Sequence, residues 1–139
     1  MDGFRFSTEV RVRFAETDAQ RIAHNATYLV WFEVARVAYL DEFTAGYRAF
    51  QDAGYEATVV ETHVRYLTPA VFDDVIRIWT RCLDVRGARF RFEYALERRA
   101  DAALVADGWT AHACVDAATL RPTRVPDWLA EAIASAEAE

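Results

Sequence analysis

The polar side chains of this 139-residue chain that could do chemistry concentrate in one run, Phe14-Ala-Glu-Thr-Asp18-Ala-Gln-Arg21-Ile-Ala-His24-Asn25-Ala26-Thr27-Tyr28. Asp18 follows a stretch with strand character and precedes one with helix character. A carboxylate placed there lies beside the unsatisfied N–H groups of a helix start and the positive end of its dipole. That combination sets a base next to a site for an anion or a polarised carbonyl. In acyl transfer, Asp18 would supply general-base or nucleophilic help. N–H groups near Asn25, Ala26 and Thr27 would steady the developing oxyanion, an effect of about 10²- to 10³-fold per donor. The same residues also have structural uses. Aspartate commonly caps helices, Thr17-Asp18 makes ordinary turns, and His24 either binds a substrate carbonyl or caps the helix. Spacing alone leaves these alternatives open.

The elements that must hold this run can be read from periodicity. From Phe4 to Phe14 the even positions are mostly apolar and the odd ones carry Arg5, Glu9, Arg11 and Arg13, a strand with one wet face. After Asp18 the period becomes helical. Tyr28, Phe32, Ala35 and Tyr39 recur along a segment apolar over so wide an arc that it should be largely buried, with Asn25 or Thr27 capping its start and Gly46 and Gly54 as stops for it and for a shorter helical piece that follows. Four alternating runs follow, at 57–67, 75–85, 89–99 and 102–117, with turns at Gly87 and Ala100–Asp101. Pro122 and Pro126 precede a short Ala-rich helix that begins near Asp127. The order strand, long helix, four strands predicts one α+β domain over 1–139, an antiparallel sheet wrapped around a central helix. One helix covers one sheet face, so the other face, rich in Arg with Trp79 and Trp109, is a candidate for pairing with a second copy.

Composition narrows the possibilities. With 53% hydrophobic and 27% charged residues, the chain is globular rather than disordered or fibrous. Its net charge of −6 argues against nucleic acid and membrane surfaces as partners, and no run is long enough to span a bilayer. Cys82 and Cys114 lack metal-ligand spacing and read as small core residues, so neither a metal nor a disulfide framework is expected and the cytoplasm is the expected compartment. All 16 basic residues are arginine, which removes any Schiff-base lysine.

Thr17-Asp18 with His24-Asn25-Ala-Thr-Tyr28-Leu-Val-Trp31-Phe32-Glu33-Val-Ala-Arg36 resembles the signature of the 4-hydroxybenzoyl-CoA thioesterase-like branch of the hotdog-fold acyl-CoA thioesterases. Two further passages fit the same family in order: Tyr66-Leu-Thr-Pro69 through Asp73-Asp74 to Ile76, and Val115-Asp116 with Leu120-Arg121-Pro122 and Val125-Pro126. The resemblance implies a five-stranded antiparallel sheet around one long helix, dimers or tetramers with sites at the dimer interface, and hydrolysis of acyl-CoA without metal or other cofactor. Asp18 matches the catalytic aspartate of that family, with the helix start and His24 on the thioester carbonyl and Tyr28 in the core or pocket wall.

The chain departs from the pattern at Arg21, where the family usually has a glycine free to adopt positive φ, and at His24-Asn25, where Tyr-His or His-His is usual. Binding coenzyme A calls for arginines near its phosphates, for which Arg86, Arg89 and Arg91, and Arg121 and Arg124, are candidates, with Arg21 able to swing towards an anion. Glu33 and Arg36 are expected to form an ion pair on the helix, and His63 to lie on a solvent or interface face. A non-catalytic hotdog module that binds acyl thioesters, made plausible by Arg21, shares the fold. So does a hydratase or dehydratase, although the Asp18–His24 spacing suits that chemistry poorly.

Overall fold

The computed structural model describes residues 1–138. Strand β1 (Phe6–Arg11) leads through a short 3-10 turn (Phe14–Glu16) to helix α1 (Thr27–Phe43) and the one-and-a-half-turn helix α2 (Tyr47–Asp52). Strands β2 (Tyr55–Tyr66), β3 (Val75–Arg86), β4 (Arg89–Arg98) and β5 (Leu104–Asp116) follow, and helix α3 (Asp127–Glu137) closes the described chain. The five strands form one antiparallel sheet in the order β1-β3-β4-β5-β2, the α+β architecture the alternation predicts.

The period-2 pattern decides what faces inward. Ile76, Ile78 and Thr80 of β3, Phe92, Tyr94 and Leu96 of β4, and Thr110, His112 and Cys114 of β5 are buried beneath α1, which answers with Trp31, Phe32, Ala35 and Tyr39. Phe32 stacks on Tyr94 with ring centroids 4.0 Å apart. The outer face carries charge pairs, among them Arg81–Glu93, Arg77–Glu97 and Arg65–Asp107, and there His63 stacks on Trp109, as expected of an outward residue. Both cysteines are buried and unpaired, and burial pushes the Cys114 thiol up to about 11.

Four local expectations are corrected. β1 ends at Arg11 rather than Phe14, because the Glu16 carboxylate accepts the Arg13 backbone N–H at 2.8 Å and turns the chain, which leaves Phe14 exposed against Phe72. Helix α1 has Ala26 at its cap position and takes no side-chain cap from Asn25 or Thr27. It is also not buried all round: Leu29, Val30, Val34 and Val37 form a stripe between 40% and 48% exposed in the single chain. Finally, no Glu33–Arg36 ion pair forms among the described residues. Arg36 turns inward and donates from Nη1 to Tyr94 Oη at 3.2 Å.

Candidate active site

The loop between β1 and α1 is held at three points. Thr17 and Ala23 bridge across it, the Asp18 N–H reaches Ile22 O at 3.0 Å, and the Ala23 N–H reaches Ala70 O at 2.8 Å. Below the loop, buried Glu16 organises the helix entry. Its carboxylate takes the Trp31 indole N–H at 3.2 Å, and its backbone carbonyl accepts the His24 N–H at 2.8 Å and the Thr27 hydroxyl at 3.3 Å. From across the sheet, the Tyr66 hydroxyl donates to Asn25 O at 2.9 Å and its ring meets Tyr28 edge-on at 5.0 Å. Two distant segments are thereby clamped around the first turn of α1.

Between them lies a cavity of about 490 Å³ lined by Asp18, Gln20 and Ile22–Asn25 of the loop, Tyr28 of α1, Tyr66 at the end of β2 and 67–69 after it. Asp18, His24, Asn25 and Tyr28 therefore come together as the sequence suggests. Asp18 uses Oδ1 locally, accepting the Gln20 N–H at 2.8 Å, and no second hydrogen bond to its carboxylate exists among the described residues. His24 accepts the Ala26 N–H on Nδ1 at 3.1 Å, so a neutral ring carries its proton on Nε2, a free donor at the cavity wall.

The N–H groups sort differently from the expectation. The Ala26 N–H is taken by His24 Nδ1 and the Thr27 N–H by His24 O at 2.9 Å, and neither residue lines the cavity. Those of Asn25 and Tyr28, both lining residues, have no partner among the described residues. Burial also raises the Tyr28 and Tyr66 hydroxyls above the usual phenol range, so both stay protonated.

The candidate arginines lie apart from this cavity in the single chain. Arg21 is exposed, lines no part of this cavity and sits at φ +64°, the left-handed conformation for which glycine is suited. A side chain there costs about 1–2 kcal/mol, partly offset by the greater unfolded-state freedom of glycine. Arg21→Gly is therefore expected to stabilise the fold by about 0.5–1 kcal/mol, read as a melting midpoint raised by about 2–3 °C; no rise would mean the loop relieves the strain in another way. Arg86, Arg89 and Arg91 line a separate cavity of about 470 Å³ with Val60, Glu61 and Asp84. Arg89 pairs with Ala113 and Tyr66 with Ala106, seven residues apart on β5. That separation is about 24 Å at strand rise, so these arginines do not border the Asp18 cavity of the same chain. Arg91 is also engaged, pairing with Glu93 at 3.2 Å and lying over the Trp109 ring.

One five-stranded antiparallel sheet curled on a long helix is the hotdog class of fold. The chain belongs to the thioesterase-like superfamily, whose model matches residues 12–133. It is 32% identical over 122 residues to the acyl-CoA thioesterase YbgC of Haemophilus influenzae, covering 87% of this chain and 88% of that protein. Among solved structures it resembles hypothetical protein TT1821 of Thermus thermophilus, at 31% identity and a TM-score of 0.87, with 93% of this chain and 97% of that one covered. It also resembles the DHNA-CoA thioesterase of Staphylococcus aureus, at 26% identity and a TM-score of 0.86, with 93% and 88% covered.

Proposed function

We propose that this protein is an acyl-CoA thioesterase that cleaves a thioester to a carboxylic acid and free coenzyme A, with Asp18 as general base or nucleophile. The carrying observation is the shared cavity, lined together by Asp18 and by Asn25 and Tyr28, whose backbone N–H groups have no partner among the described residues. The thioester carbonyl accepts from those amides, with His24 Nε2 as a further donor or water anchor. Asp18 either attacks the carbonyl carbon, giving a mixed anhydride that water then hydrolyses to the acid and free Asp18, or takes a proton from the attacking water; in both routes the C–S bond breaks and the coenzyme A thiolate leaves with a proton that the water supplies. Charge developing on the carbonyl oxygen falls on donors already in place, which is where such sites gain most of their rate.

The active form is proposed to be a cytoplasmic homodimer or tetramer of a single-domain chain. β2 is a 12-residue edge strand with Val59 and Val60 exposed, and the apolar stripe of α1 is likewise uncovered, both suited to a second copy. In such an assembly Arg86, Arg89 and Arg91 would serve coenzyme A phosphates bound to the partner's site. Thiol release from a panel of acyl-CoA thioesters, with light scattering on the same sample, tests the reading. Release by a dimer or larger species is expected. Binding without release would make the chain an acyl-thioester-binding module, and a monomer at micromolar concentration would remove the shared site.

A further inference from the structure

The chemistry above uses one end of α1, and a second polar site lies further along the same helix. Arg36 Nη1 donates to Tyr94 Oη at 3.2 Å, Tyr94 Oη lies 2.6 Å from Thr110 Oγ1, and Thr110 Oγ1 lies 2.7 Å from His112 Nε2. A guanidinium only donates, so it sets the direction of the chain. Tyr94 accepts from Arg36 and donates to Thr110, which donates to His112 Nε2. Run the other way, the Tyr94 proton would have no acceptor. His112 is therefore neutral with its proton on Nδ1, in keeping with burial and the nearby Arg36 charge, which push it down to about 3.

That Nδ1–H has no partner among the described residues, although His112 is only 3% exposed. A buried donor left unpaired costs about 1–3 kcal/mol. The ring is also held in place, stacked on Phe90 and met edge-on by Phe92. With Nε2 committed to Thr110, Nδ1 diverges from it. The ring borders two cavities, the one lined by Arg86, Arg89 and Arg91 and a smaller one of about 100 Å³ shared with Glu33, Arg36, Val37 and Tyr47; the smaller, which meets α1, has room for a few waters or the end of a ligand. The exposed Val30, Val34 and Val37 stripe leads from the helix start to this cavity. From Tyr28 to Arg36 is about 12 Å at helical rise, the reach of a medium-length acyl chain.

We propose that this cavity receives the far end of the acyl group and that His112 selects chains carrying an oxygen acceptor there, a keto or a hydroxyl oxygen. The assignment rests on the thioesterase reading and adds a specificity determinant to it. A keto oxygen would only accept from Nδ1–H. A hydroxyl would accept from it and donate a hydrogen bond to the Glu33 carboxylate.

The test compares kcat/KM for plain, keto-bearing and hydroxyl-bearing medium-chain acyl-CoA thioesters in the wild type and in His112→Phe, which keeps the aromatic stack and removes the donor. The wild type should prefer at least one oxygenated chain by about ten-fold, and the variant should bring that preference below about two-fold. Equal rates in the wild type, or a preference that survives His112→Phe, would overturn the proposal. Because the variant also strands the Thr110 hydroxyl, a second readout uses wild-type protein labelled with ¹⁵N-histidine and titrated with the free acids. The His112 Nδ1 resonance should move with an oxygenated acid and not with the plain one; an equal response would mean the cavity holds water only. If no thioester is cleaved, the thioesterase reading fails while this titration still decides the site.

Discussion

Asp18→Asn is expected to lower kcat for thioester cleavage by about 10²- to 10⁴-fold, the range of a positioned general base, and by more if Asp18 is the nucleophile. The substitution is informative because it leaves the loop intact. Asp18 contributes one structural interaction, the Oδ1 acceptor for the Gln20 N–H at 2.8 Å, and an asparagine carbonyl reproduces it. The Asp18 N–H to Ile22 and its carbonyl to the Arg21 N–H at 2.8 Å belong to the backbone and do not change. The melting midpoint should therefore stay close to that of the wild type, and KM for acyl-CoA should move far less than kcat. A drop smaller than about ten-fold would remove Asp18 from the reaction and return it to the role of a turn residue. A matching loss of stability would mean that the carboxylate charge holds the loop.

What could be read from the sequence, and what could not, follows from how far each interaction reaches along the chain. Alternation of two and recurrence near 3.6 are local, so the strands, α1 and the inward parity of Phe92, Tyr94 and Leu96 were legible, as was the gathering of Asp18, His24 and Tyr28 within one loop and the turn after it. Which amides of the helix start stay unpartnered was not, because it depends on His24 taking the Ala26 N–H on Nδ1 and the Thr27 N–H on its carbonyl, which leaves those of Asn25 and Tyr28. Glu16 and Tyr66 were missed for a related reason: each acts through a partner far along the chain, Trp31 in one case and Asn25 in the other. A signal for His112 did exist. Thr110, His112 and Cys114 occupy the core parity of β5, and two polar residues in succession at inward positions announce a buried network even before its partners are known. The Arg36 partner does not follow from local spacing, which favours Glu33, because the Tyr94 hydroxyl across the core offers the guanidinium an acceptor in a part-buried setting.

Gly108→Ala is expected to be the most damaging single-methyl change in the chain, lowering stability by about 3 kcal/mol and the melting midpoint by about 12 °C. Gly108 lies on β5 opposite Val64 of β2 and Tyr94 of β4, directly beneath α1. A Cβ there would run into the backbone carbonyl of His63 and come within 3.0 Å of Phe32 Cζ. The first obstacle is backbone within the ladder and cannot rotate away. The second is the ring stacked on Tyr94, fully buried and set by the packing of the helix. Glycine at this position thus fixes how closely α1 approaches the sheet, and through that distance it sets where the first turn presents the Asn25 and Tyr28 amides. Gly108→Ala should therefore lose kcat as well as stability, even at temperatures where it remains folded. Combining it with Phe32→Leu separates the two obstacles. If the ring is the main barrier, the double variant regains more than about 1 kcal/mol relative to the sum of the singles. If the His63 carbonyl dominates, the two losses add. A Gly108→Ala protein melting within about 3 °C of the wild type would show that the helix is free to lift from the sheet, and the site geometry would then need a different anchor.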